Sequence, residues 1–100
     1  VSDEAYPDLA PGETELLGQW IEQPDGRVVG DPVDERIRWL TINRLAPLGT
    51  TSDGWDWLFR DPCDGRLWEL TYPQGSLHGS GPRRLALIAP EVALARYGLV

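Results

Sequence analysis

Residues 55–72, WDWLFRDPCDGRLWELTY, constrain the fold of this chain more than any other stretch. Two runs of alternating side chains flank a turn. Pro62 suits the second position of a type I turn, and Gly65 supplies a residue tolerant of positive φ. A four-residue loop over 62–65 sets Asp61 opposite Arg66 and pairs Phe59 with Trp68, Trp57 with Leu70 and Trp55 with Tyr72 on one face. Asp56, Leu58, Arg60, Leu67, Glu69 and Thr71 fall on the other face. A loop one residue longer mixes apolar with polar side chains, so the pattern selects the register. The aromatic face is expected to be core, with Trp57 and Trp68 serving stability. A two-stranded hairpin is marginal alone, so the face requires a cover, and the helix upstream is the candidate.

Around this hairpin the other elements are shorter. Residues 16–23, LLGQWIEQ, predict a strand, and residues 27–30 a second. Between them, QPDGR fits a type I turn closed by a glycine bulge, with Ile21 opposite Val29 and Glu22 opposite Val28. Asp31 reads as an N-cap, Pro32 as the first helical residue, and Asp34 and Glu35 as acids at the positive end of the helix dipole. The helix is expected to run through Ala46 and stop before Pro47. Val33, Ile37 and Leu40 form one apolar stripe on it; Trp39, Ile42 and Ala46 form a second. The second stripe is covered either by the N-terminal segment, by a loop over 47–53, or by a partner chain. RRLALIA predicts a last strand, and Pro90 opens a short helix closed by Gly98. The order ββ-α-ββ-β-α lacks strand–helix–strand alternation. It predicts an α+β fold: a small antiparallel sheet of about five strands packed on one main helix. The chain's 100 residues suit a single domain over 14–100, preceded by a flexible acidic arm over 1–13.

Charge and the scarcity of reactive side chains narrow the function. The net charge is −7, and residues 1–35 hold ten acids against one base. No basic stripe suited to phosphate is present, which argues against a nucleic-acid partner. No apolar run approaches the roughly 20 residues of a membrane helix. The N-terminal residues show no signal-peptide pattern, and the single cysteine, Cys63, fits a reducing compartment, so a cytoplasmic location is expected. Methionine is absent, consistent with a trimmed start. His78 and Cys63 are the only imidazole and thiol, too few for a zinc site. Ser76 and Ser80 beside His78 make no catalytic triad, and Gly79 and Gly81 lack the strand and helix of a nucleotide loop. The reading is a non-enzyme without cofactor or metal. The acidic excess serves either solubility or a face that attracts a basic protein. The candidate partner-binding residues are Glu22, Asp25, Asp31, Asp34 and Glu35, with His78 in the loop after the central hairpin.

LLGQW, GDPVDERIRWL, SDGWDWLFRDPCDGRLWELTYPQGSLHGSGPRRL and ARYG together resemble immunity protein family twenty-seven of bacterial polymorphic toxin systems. The likeness spans about residues 12–98, and its most specific part lies between Asp61 and Pro82. Ser80 departs from the pattern, standing where the family carries a third glycine. The resemblance implies a small protein that binds and blocks a cognate toxin domain, with no activity or cofactor of its own. Many such toxins are nucleases or other enzymes with basic clefts, which the acidic residues would occupy as a phosphate mimic. A structural or interaction module with another partner is the alternative.

Overall fold

The structure, a computed structural model, describes residues 6–52, 54–73 and 82–98. Its elements are β1 (Glu15–Leu17), β2 (Trp20–Glu22), β3 (Val28–Gly30), α1 (Pro32–Asn43), β4 (Ala46–Thr50), β5 (Trp57–Arg60), β6 (Leu67–Thr71), β7 (Arg84–Leu87) and α2 (Pro90–Tyr97). Five strands form one antiparallel sheet in the order β1-β7-β6-β5-β4, and β2 and β3 form a separate ribbon. The α+β class and the order of elements are those expected from sequence.

The central hairpin has the register that its pattern selects. Trp57 pairs with Leu70 and Phe59 with Trp68. In the turn, Asp61 N–H donates to Arg66 O and Gly65 N–H to Asp61 O, and Gly65 has φ 79°. The Asp61 carboxylate accepts from Cys63 N–H at 2.9 Å, which occupies this buried acid inside the turn. Just beyond the strands, the Trp55 and Tyr72 rings meet edge to face at 6.0 Å.

Both faces of the sheet carry core. On one, Leu16, Phe59, Trp68, Leu70 and Leu85 pack with Ile37 and Leu40 of α1. Helix α1 begins where the capping signals place it: the Asp31 carboxylate accepts from Asp34 N–H at 2.8 Å, with Pro32 in the first turn. On the other face, Leu58 and Leu67 pack against Ala93 of α2. The polar alternates of that face also hold α2. Arg96 pairs with Asp56 at 2.8 Å and Glu69 at 3.1 Å, and Tyr97 Oη–H donates to Glu69. Burial, and then the Glu69 carboxylate, push the Tyr97 hydroxyl far above the ordinary phenol range.

Several expectations need correction. The strand read over 16–23 is divided: β1 joins the main sheet beside β7, whereas β2 leaves it for the ribbon. Helix α1 ends at Asn43 rather than at Ala46, because the residue before a proline avoids helical geometry. Leu45 then turns into the core, and residues read as a loop become the edge strand β4, with an irregular register between Pro47 and Gly49. The second helical stripe divides as well. Trp39 is covered by the Tyr6 ring at 6.0 Å and the Arg44 guanidinium at 4.6 Å, while Ile42 stays exposed.

Trp57 and Trp55 are 39% and 49% exposed, whereas Trp68 is fully buried. Helix α1 lies mainly over β1 and β7, and β6 separates these strands from β5, which carries Trp57. The Trp68 indole N–H has no acceptor among the described residues; packing and the Arg66 guanidinium, 5.1 Å from its ring, hold it. Replacing Trp68 with Ala should therefore cost about 3–5 kcal/mol. Trp57→Ala should cost less than half of that. Equilibrium unfolding in urea checks the difference; equal losses would contradict the burial pattern.

Candidate functional site

The functional question is which surface remains available to a partner. Among the described residues, no group of three or more His, Cys, Asp or Glu side chains is placed to hold a metal ion. The basic side chains are all arginine, and seven of the nine are ion-paired: Arg27, Arg36, Arg44, Arg66, Arg83, Arg84 and Arg96. Four of their partners, Asp8, Glu13, Glu15 and Asp34, belong to the acidic first 35 residues and pair with arginines later in the chain. Much of the charge asymmetry is thus an internal fastening.

Residues 6–13 show the fastening most clearly. Arg36 of α1 donates to both Glu13 carboxylate oxygens at 2.8 Å and to the carbonyls of Pro7 and Asp8. Arg44 reaches the Asp8 carboxylate, and Arg66 donates to the carbonyls of Ala10, Pro11 and Glu13. These bonds lay the segment across α1 and the turn end of the central hairpin.

The six partner-binding residues expected from sequence have different fates. Asp34 is buried, with its carboxylate accepting from Arg83 N–H at 2.9 Å and from Arg83 Nη1 at 2.7 Å. It sits in a notch that only glycine leaves open. A Cβ on Gly30 would lie 2.3 Å from Asp34 Oδ2, and one on Gly18 would lie 2.8 Å from Asp34 Cβ. Asp31 is half-buried as the helix cap. Asp25, in the ribbon turn, is paired with the neighbouring Arg27 at 3.0 Å, both well exposed. Glu22 on β2 and Glu35 in the first turn of α1 are exposed and have no ion pair among the described residues. His78 lies outside the described residues.

Glu22 lies on β2, whereas Asp31 caps α1 and Glu35 stands in its first turn. The ribbon was expected from sequence, but its exposure was not. Its register is the expected one, Ile21 with Val29 and Glu22 with Val28, and Gly26 closes the turn at φ 90°. Yet no residue of either strand is buried. Trp20, Ile21, Val28 and Val29 are 37–52% exposed, apolar on both faces of a two-stranded element. No local signal marked this exposure, since consecutive apolar residues in a strand ordinarily mean burial on both faces. The ladder closes at the base of the ribbon, where Asp31 N–H donates to Gln19 O, and Gly30 meets Asp34 of α1 there.

Comparison with known families decides the relationship. The profile described as Immunity protein 27 matches residues 23–89, more than half of the chain. The chain belongs to the immunity protein 27 family. No curated protein and no solved structure gives a significant match. The family's role is immunity, which implies a protein toxin as partner, and such families are generally non-catalytic. The match includes the ribbon turn, β3, all of α1 and the central hairpin.

The fastening of the N-terminal segment gives a pH signature for this family member. The Arg36 guanidinium, hydrogen-bonded to Glu13, lowers that carboxyl from 4.5 to about 2. A carboxyl depressed in the folded state adds stability above its unfolded pKa, and the contribution fades as pH falls toward the folded value. Acid titration of stability should therefore show a loss between about pH 4.5 and pH 2 that Glu13→Gln removes. A Glu13→Gln chain with the same acid dependence as the parent would contradict the assignment.

Proposed function

We propose that this chain is a cytoplasmic immunity protein that binds a cognate toxin domain and neutralises it by occluding the active site. The observation that supports this reading, beyond the family match, is the pairing of an exposed apolar ribbon with carboxylates that no arginine of the chain neutralises. Trp20, Ile21, Val28 and Val29 offer desolvation energy, and aromatic residues of this kind are common anchors in interfaces. Glu22 lies on the ribbon, Asp31 and Glu35 follow it at the start of α1, and all three favour a partner of positive potential. A basic cleft that normally holds nucleic acid meets that description, so the proposed partner is a nuclease toxin domain of a polymorphic toxin system.

Within the acidic set, the roles differ. Glu22 and Glu35 are the long-range attractors, Asp25 is a weaker one because Arg27 neutralises it, and Asp31 acts from its capping position. Asp34 contributes by shaping the surface rather than by touching the partner. His78 remains a proposed contact in the loop that follows the central hairpin. Residues 14–100 form the proposed binding domain, with residues 1–13 as an arm upon it.

The test is co-expression with the toxin domain encoded beside this chain, then stopped-flow association and an assay of toxin activity. The complex should form with loss of activity. Glu22→Gln with Glu35→Gln should slow association at low salt by about tenfold and flatten its salt dependence. Trp20→Ala should act mainly on dissociation. Unchanged association and salt dependence would remove the acidic face from the account, and a fully active complex would remove occlusion.

A further inference from the structure

At the opposite end of β7 from Arg83 lies a groove of about 770 Å³ that the immunity reading does not use. Leu48, Leu67, Ile88 and Pro90 give it a mostly apolar lining, and Arg60 and Arg66 supply its charged side chains. Leu48 and Ile88 are only half-buried there; they pack on the small core beneath α2 and leave their outer sides uncovered.

The two arginines are not equivalent. Arg66 is committed elsewhere, with Nε on the Asp64 carboxylate and both terminal nitrogens on carbonyls of the N-terminal segment. Arg60 is exposed and makes no ion pair or side-chain hydrogen bond among the described residues. Seven of the nine arginines are ion-paired; of the remaining two, Arg38 and Arg60, it is Arg60 that lines the groove. Guanidinium groups match carboxylates in shape and charge. The groove is open to solvent rather than enclosed, which suits a chain segment laid across it more than a small molecule held inside.

We propose that this groove docks a partner protein's segment in which an apolar side chain stands next to a carboxylate. The apolar group covers Leu48, Leu67 and Ile88, and the carboxylate pairs with Arg60. Its electrostatic preference is opposite to that of the ribbon face, so one partner with both charge types, or two partners, can be held at once. The inference stands whether or not the partner of the ribbon is a toxin.

The experiment is an NMR titration of the full, isotope-labelled chain with three blocked pentapeptides: Glu-Leu-Leu-Glu-Leu and its Gln and Lys counterparts. The Glu peptide should shift the methyl signals of Leu48, Leu67 and Ile88 together with Arg60 Nε–H. It should bind roughly threefold to tenfold more tightly than the Gln peptide, the range expected for one accessible charge-assisted contact. Arg60→Gln, a surface change, should abolish that preference. Equal binding of all three peptides, a preference that survives Arg60→Gln, or no shifts at millimolar peptide would each overturn the proposal. Shifts of the same methyls with protein concentration alone would assign the groove to a second copy, and would overturn it too.

Discussion

The arrangement depends on one ionic contact, the carboxylate of Asp34 against Arg83. It joins the start of α1 to the start of β7 across 49 residues of sequence. Gly18 and Gly30 close on it where the chain enters and leaves the base of the ribbon, with no room for a Cβ. A buried carboxylate is costly unless its oxygens are satisfied, and here a backbone N–H and a guanidinium do so. That requirement fixes where the chain leaves β1, where the ribbon stands and where α1 begins. The ribbon can expose both faces because it hangs from this joint rather than from the main sheet.

The same logic organises the remaining charges. Acids crowd the first third of the chain and arginines follow, which on paper resembles a dipolar surface awaiting a partner. In the fold, Arg36, Arg44, Arg83 and Arg84 reach back and neutralise much of the acidic third. Exposed pairs among these add little stability individually, so their value lies in placing residues 6–13 and β1 on the body. Among the described charges left without an ion pair are Glu22 on the apolar ribbon, Glu35 at the start of α1 and Arg60 beside an apolar groove, along with Arg38 and Glu91 on the helices.

How much of this was legible in the sequence follows from the range of each interaction. The β5–β6 register and the start of α1 are local: a period of two around a proline–glycine turn, and a cap three residues from the N–H that donates to it. Both were readable. The ribbon register between Glu22 and Val28 was readable for the same reason, but its exposure was not, since that depends on Gly18 meeting Asp34. The exposure of Trp57 depends on which strands α1 covers, a tertiary choice invisible to alternation. Strand β4 was obscured because Pro47 and Gly49 are loop formers that an edge strand tolerates. Of the acidic residues singled out, Glu22 and Glu35 are free, while the commitment of Asp34 to Arg83 left no mark on local pattern.

The most direct measurement is the stability of Asp34→Asn together with hydrogen exchange of the ribbon amides. The substitution keeps the volume in the notch and removes the charge that Arg83 faces. The account expects a loss of about 2–3 kcal/mol, below that of a fully buried pair because Arg83 is partly exposed, and faster exchange at Ile21, Glu22, Val28 and Val29. Unchanged stability and unchanged ribbon exchange, with partner binding weakened, would instead make Asp34 a contact residue and contradict its place at the centre of the fold.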